Sequence, residues 1–336
     1  MLVVRPARPS DYDALMTLAR ESGPGFTSLP EDEPTLRRRL EVAEGSFNGT
    51  IPRQDCWYVM MMEDTETGEV NGISGVKAAV GLKRPFASFR RVTFSHYHVS
   101  DIMTERLDQP ALLWVNECRG WSEVGSLFLK PEKRVEGAGS LLARSRYLLI
   151  AAAPDRFSEW VLAELRGKVD ENNRSPFWEH VTSKFFPLTF EKADELSGST
   201  DGQFIFDLCP HHPLYENLLH EDARNVIGQV QHETVPAKML LEKEGFREIG
   251  LVDVFDAGPT VACHRDAIRT VKDSRALPVS IEKEPEGGKA LVAVNRVENF
   301  RATRAVVEVA AEHAYITAET AEGLKVKDGD LVRVMA

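Results

Sequence analysis

Apolar and polar positions along the chain recur with two periods, and the places where the period changes mark the predicted elements. Leu2 to Arg5 is a short apolar run closed by the prolines at 6 and 9, which predicts a strand. Ser10 to Asp13 offers an N-cap and an acidic first turn to a helix carrying Leu15, Leu18 and Ala19. After the turn-rich loop Gly23 to Pro30, a second helix is predicted from Glu33 to Glu44, with Arg37 to Arg39 as its solvated face. Cys56 to Glu63 is a β-type run, the polar stretch to Gly68 turns the chain, and Val70 to Leu82 returns as a second strand.

The most informative stretch runs from Ser122 to Ala153. Val124, Leu127, Phe128 and Leu129 make a strand that stops at Pro131. Arg134-Val-Glu-Gly-Ala-Gly139 follows. Beyond it Leu141, Leu142, Leu148, Leu149 and Ala152 keep a helical spacing. A helix start exposes backbone N–H groups and the positive end of the dipole, so it attracts phosphate. Glycine at 137 and 139 lets a diphosphate approach that backbone without Cβ atoms in the way, and Arg134 adds a charged fork. The three-glycine dinucleotide fingerprint and the Walker loop are both absent.

Further on, Trp160 to Arg166 reads as a strand and Ser175-Pro176 as the start of a helix. Phe190 to Leu196 reads as polar and helical, and Gln203 to Leu208 as a strand. Pro210 to Pro213 is a rigid turn before an amphipathic segment with Tyr215, Leu218 and Leu219. A helix from Ala237 to Glu244 closes at Gly245, and Phe246 to Phe255 continues as a strand. The charged segment Lys272 to Glu286 marks a boundary. From Lys289 onward the chain reads as short strands, with a strong turn signal at Val326 to Asp330. The predicted organisation is therefore residues 1–270 as one α/β region, compatible with two related halves, and 271–336 as a small β module, either a barrel or strands added to the main sheet.

The chain has 336 residues, enough for two domains, and its 43% hydrophobic and 28% charged content suits a globular protein. A net charge of −11 argues against nucleic acid as a partner and suits a cationic substrate. The four cysteines, at 56, 118, 209 and 263, form no C-x-x-C pair and read as reduced thiols of a cytoplasmic protein. Met1 to Arg5 is too short for a secretory signal, and the apolar run Tyr147 to Pro154 is too short to span a membrane. No cluster has metal-ligand spacing with carboxylate support, so no metal is expected.

Arg-x-x-Gly-x-Gly between a strand and a helix resembles the diphosphate loop of the acyl-CoA N-acyltransferase (GNAT) superfamily. Leu240 to Phe246, a helix ending at Gly-Phe, resembles a later element of the same superfamily. The likeness sharpens to the arginine N-succinyltransferase family. It is carried by Gly25 to Pro30, Val80 to Leu82, Ser122-Glu123, Ser126 to Leu129, Arg134 to Gly139, Ser145-Arg146, Ala163 to Gly167, Ser175 to Trp178, Ile227 to Gln229, Leu241 to Phe246 and Phe255 to Pro259. The match runs in order over residues 2 to 270.

The resemblance implies a mixed α/β acyltransferase fold and transfer of succinyl from succinyl-CoA to the α-amine of L-arginine, the first step of arginine breakdown by the succinyl route. Its alternatives are ornithine or another basic amino acid as acceptor, or a CoA-binding subunit with weak catalysis that pairs with a related chain; a homo-oligomer is the other assembly expected. The family's proton-transfer histidine lies in a loop that reads Gly228-Gln-Val-Gln231-His232-Glu-Thr-Val-Pro236 here, so Gln231 occupies its place and His232 follows one position later. An imidazole titrates near the working pH and can move the proton. The family's succinyl-CoA contact carries over to Leu127, and the backbone there is a candidate oxyanion donor. The expected acyl-CoA contacts are Leu127, Leu129, Arg134, Val135, Glu136, Gly137, Ala138, Gly139 and Ser140.

For the guanidinium, planar carboxylates are needed, and Glu117, Glu123, Glu164 and Asp170 are candidates. For the succinyl carboxylate they are Arg90, Arg146 and Arg166. Thr27 and Ser28 are expected on the substrate side. His96, His98, His211 and His212 read as structural or surface residues.

Overall fold

A computed structural model describes the chain except residues 24–28, 84, 102–103, 173, 191, 194–195, 197–202 and 283. The expected contacts Thr27 and Ser28, and residues 191 and 194–195 of the stretch Phe190 to Leu196, lie outside the described residues.

The strands are β1 (Leu2–Pro6), β2 (Trp57–Asp64), β3 (Val70–Lys77), β4 (Ser88–Val99), β5 (Thr104–Val115), β6 (Ser122–Leu129), β7 (Trp160–Glu164), β8 (Leu214–Tyr215), β9 (Arg247–Asp253) and β10 (Pro259–His264). They form one mixed sheet in the order β1-β2-β3-β6-β7-β10-β9-β4-β5-β8. Helices α1 (Tyr12–Ser22) and α2 (Glu33–Asn48) cover one side of β2 and β3, and α3 (Ala138–Ala152) covers the other. Alternation along β2 explains the two layers: Tyr58, Met60 and Met62 point to the α3 core, Val59 and Met61 to the α1–α2 core. All five are buried.

Both early helices differ from their expected bounds. Tyr12 begins α1, because the Asp11 carboxylate is taken by the Arg8 amide and by a fork from the buried Arg5 at 2.7 and 2.9 Å rather than capping the helix. The α2 helix runs on to Asn48 and closes at Gly49, whose φ is +69°. Its basic run is split. Arg37 is exposed over the Tyr12 ring, but Arg39 is buried against Trp57 with its guanidinium 4.8 Å from the ring centroid.

Several other elements depart from the sequence expectation. Lys77 ends β3, short of Leu82. β4 and β5 make a long hairpin that the polar pattern of this stretch concealed. Gln203–Leu208 is helical rather than extended, because a short apolar run carries no period that separates the two.

The presumed boundary Lys272 to Glu286 contains β11 (Arg275–Ile281). With β12 (Gly288–Val294), β13 (Ala302–Ala310), β14 (His313–Ile316) and β15 (Leu331–Met335) it closes into a ring in the order β12-β15-β11-β14-β13, with β13 returning to β12. This barrel has its own apolar core, and β13 also pairs with β1, so the barrel is fused to the main sheet. Of the two arrangements expected for this module, the chain adopts both at once.

Candidate active site

β6 and β7 are parallel neighbours in the main sheet, and they pair only at Ser122–Val161 and Glu123–Leu162. Beyond that point β6 stays with β3 and β7 with β10, so the sheet forks. A bulge deepens the fork. Between the pairs Gly75–Gly125 and Ile73–Phe128, Ser126 and Leu127 together oppose the single residue Ser74. Ser126 sits at φ +51°, a left-handed conformation that turns the strand, and Leu127 has no partner in the β3 register.

The diphosphate candidates stand where β6 ends. Gly137 caps α3 at φ +86°. The Ala138 amide is held by the Val135 carbonyl at 3.1 Å, while among the described residues the amides of Gly137, Gly139 and Ser140 meet no backbone acceptor. A Cβ at Gly139 would meet nothing within 4 Å, so glycine there leaves open space in front of the amides rather than relieving a protein clash. Arg134 donates from Nε to the Leu129 carbonyl at 3.2 Å, which lays its side chain along the turn, and Arg134, Val135 and Glu136 are exposed. Leu127 and Leu129 pack against the core that α3 shares. Free amides, open space and an exposed guanidinium suit a diphosphate.

At the other end of the fork is a cluster of acids. Glu123 is bonded to Lys77 at 2.6 Å, beside Trp57 and Ser126. Glu164, at the end of β7, is open to solvent on one side while protein crowds the rest. Burial, with Asp253 and Glu123 nearby, pushes its carboxyl well above the usual range, and Lys77 opposes the shift only in part. Asp256 is buried, and burial raises its pKa even though it accepts the amides of Gly167 and Gly258, both at 2.8 Å.

Those bonds join two of the sequence motifs, Ala163 to Gly167 and Phe255 to Pro259. A Cβ on Gly258 would fall on the Leu165 carbonyl oxygen, and one on Gly167 would meet Asp256 Oδ1 at 2.7 Å. Only glycine permits this approach. Gly167 is bridged to Val230, and the Gln231 amide donates to the Arg166 carbonyl at 2.9 Å. The loop with the expected proton-transfer position is thus tied to the end of β7, at the mouth of the fork.

Within that loop the two candidates differ. Gln231 is half-buried, and its side-chain oxygen accepts the Val169 amide at 3.2 Å. His232 begins the following turn and is exposed.

Other candidates are drawn away from the fork. Glu117 and Arg90 bind each other in a fork at 2.6 and 2.5 Å, so each charge already has a protein partner. Asp170 binds Arg174 and the amides of its own turn. Arg146 is buried in α3, donating to the Ala143 carbonyl at 2.9 Å. Arg166 remains beside Asp256, which feels its charge. His96, His98, His211 and His212 are all exposed. Among the described residues, His180, His220 and Asp222 could gather around a cation. The two imidazoles, however, stack in parallel at 4.0 Å and 8°, so one ion cannot lie in both ring planes. Lys77, Asp253 and Asp256 were not foreseen as site residues, since nothing local in the sequence places them at the fork.

A mixed sheet forked between two parallel strands, with a bulge on one and a glycine-capped helix after it, defines an acyl-CoA N-acyltransferase. No helix among the described residues is long and apolar enough to cross a membrane. The chain belongs to the arginine N-succinyltransferase family: residues 2–270 match the family described as arginine N-succinyltransferase beta subunit, and residues 275–336 match the C-terminal domain of that subunit. It is 41% identical to proteins named arginine N-succinyltransferase from Escherichia coli (strain 55989 / EAEC) and Shigella flexneri serotype 5b (strain 8401), covering 100% of this chain and 97% of each relative. A solved structure of the arginine/ornithine succinyltransferase subunit AI from Pseudomonas aeruginosa superposes with a TM-score of 0.90 at 32% identity, covering 100% of this chain and 98% of that one.

Proposed function

We propose that the protein transfers the succinyl group of succinyl-CoA to the α-amine of L-arginine. The observation that carries this reading is the fork at the Ser126–Leu127 bulge, with unpaired amides of α3 at one end and the Glu123–Glu164 acids at the other. A thioester with a phosphorylated tail and a doubly cationic acceptor need such opposite ends.

In this reading the amides of Gly137, Gly139 and Ser140 and the Arg134 guanidinium hold the diphosphate. Glu123 and Glu164 draw in the guanidinium, and Arg166 meets the succinyl carboxylate. The arginine ammonium gives a proton to His232, the one titratable side chain of the Gln231–His232 pair, and the free amine attacks the thioester carbon. The tetrahedral oxyanion is met by backbone N–H groups at the bulge. Its collapse breaks the C–S bond and expels the CoA thiolate, which takes up the proton that the amine nitrogen gives up as the amide forms. Gln231 carries no exchangeable charge and acts by holding the loop through Val169.

The test is thiol release from succinyl-CoA with arginine, ornithine and no amine. Release that is fastest with arginine supports the reading. Release that favours ornithine overturns the acceptor and leaves the acyl transfer standing. The bonding of Gln231 to Val169 favours a second reading, a CoA-binding subunit with little activity of its own. That reading requires CoA binding without arginine-dependent thiol release from the isolated chain.

A further inference from the structure

We infer that Arg304, on the C-terminal barrel, is part of the grip on the CoA diphosphate, which makes the barrel a component of the acyl-CoA site. The inference rests on the proposed placement of that diphosphate at the start of α3.

Its basis is the packing of Gly137. A Cβ built on this residue would clash with the Arg304 Nη1 atom and lie 3.2 Å from its guanidinium carbon. The guanidinium therefore lies directly on the glycine that caps α3, beside the unpaired amides. Any side chain at 137 would evict it. The place is also fixed by backbone: Arg304 is opposite Leu291 in the β12–β13 ladder, and its neighbour Thr303 is opposite Val3 of β1. Thr303 Oγ1 also donates to the Leu2 carbonyl at 2.7 Å. The strand that fuses the barrel to the main sheet thus delivers Arg304 to the phosphate turn.

Arg304 is exposed and has no carboxylate partner among the described residues, although Glu132 and Glu136 flank the same turn. An arginine laid across a helix N-terminus would repel the dipole unless an anion sat between them. A diphosphate is such an anion. Arg134 on one side and Arg304 on the other would then hold it from two directions, with the amides beneath.

Calorimetry with CoA and steady-state kinetics on the full-length wild type, Arg304→Gln and Arg304→Lys test this. The expected result is about a tenfold or greater weakening of CoA binding in Arg304→Gln, seen equally in KM for succinyl-CoA. The kcat and the KM for arginine should hold, and Arg304→Lys should recover part of the loss. Equal CoA affinity in wild type and Arg304→Gln overturns the inference while leaving the site intact. Failure of the wild type to bind CoA overturns the underlying placement instead. A loss that disappears with the 3′-dephospho analogue assigns the contact to the ribose phosphate and overturns the diphosphate assignment. Unchanged melting temperature in Arg304→Gln separates ligand contact from damage to the barrel.

Discussion

The Gln231 side chain accepts a hydrogen bond from the Val169 amide at 3.2 Å, while the Gln231 amide donates to Arg166 at 2.9 Å. The residue at the position of the family's proton-transfer histidine is thereby bonded through both side chain and backbone to the loop leaving β7. The neighbouring His232 is left exposed at the mouth of the fork. A His232→Ala protein is expected to lose at least about a hundredfold in kcat with arginine, the usual scale for a positioned proton-transfer group. Gln231→Ala should lose stability by about 1 kcal/mol, from one orphaned amide. Steady-state rates beside urea unfolding check both; an unchanged kcat in His232→Ala removes the imidazole from the chemistry.

Glu164 is expected to trade stability for substrate binding. Burial and the adjacent Asp253 and Glu123 raise its pKa, so the folded protein binds this proton more tightly than the unfolded chain does. Its stabilising contribution is full below the unfolded carboxylate pKa, about 4.3, and is lost as pH rises through the higher folded value. Glu164→Gln should therefore melt higher than wild type near pH 7.5 and show no such gain near pH 4. It should also lose about tenfold or more in kcat/KM for arginine, having lost a carboxylate for the cation. Melting curves at the two pH values decide it, and a Glu164→Gln protein that melts lower at neutral pH contradicts the expectation.

Gly258→Ala is expected to destabilise by about 3 kcal/mol or more, because its Cβ would fall on the Leu165 carbonyl and press on the Gly167 amide. The strain should spread to the Gln231 loop through Gly167 and Val230, so activity should fall further than the folded fraction does. Denaturant unfolding paired with kcat on the folded protein distinguishes this from a local effect.

Asp11→Ala is expected to cost about 3 kcal/mol. Arg5 is only 3% exposed and is held by Asp11 and Glu63 together, so removing one acid leaves a buried cation half paired. Asp11 binds Arg5 on β1, three strands from β6, and kcat should hold in the protein that remains folded. Urea midpoints with unchanged slope would establish it.

How far the chain could be read in advance depended on whether a feature was local. The β6–turn–α3 stretch was legible because strand period, Pro131, paired glycines and helical spacing follow one another within it. β2 and its turn were legible for the same reason. The helix at Gln203–Leu208 and the strand β11 were not, because short runs take their conformation from distant neighbours: β11 pairs with β14 and β15. Among site residues, Glu123 and Glu164 are legible from their places on strands. Arg90 and Glu117 are legible on the same grounds, but nothing local shows that they are each other's partners.

The phosphate-type turn, its glycines and the motifs that mark the family are set by residues adjacent in the chain, and so are legible without a fold. Folding sets the rest: β6 and β7 part after two pairs, Gln231 bonds Val169 while His232 stays outside, and Arg304 lies on Gly137. All three have one cause. Each is a contact between segments remote in sequence, and its geometry is set by strand register and packing, for which no local period exists.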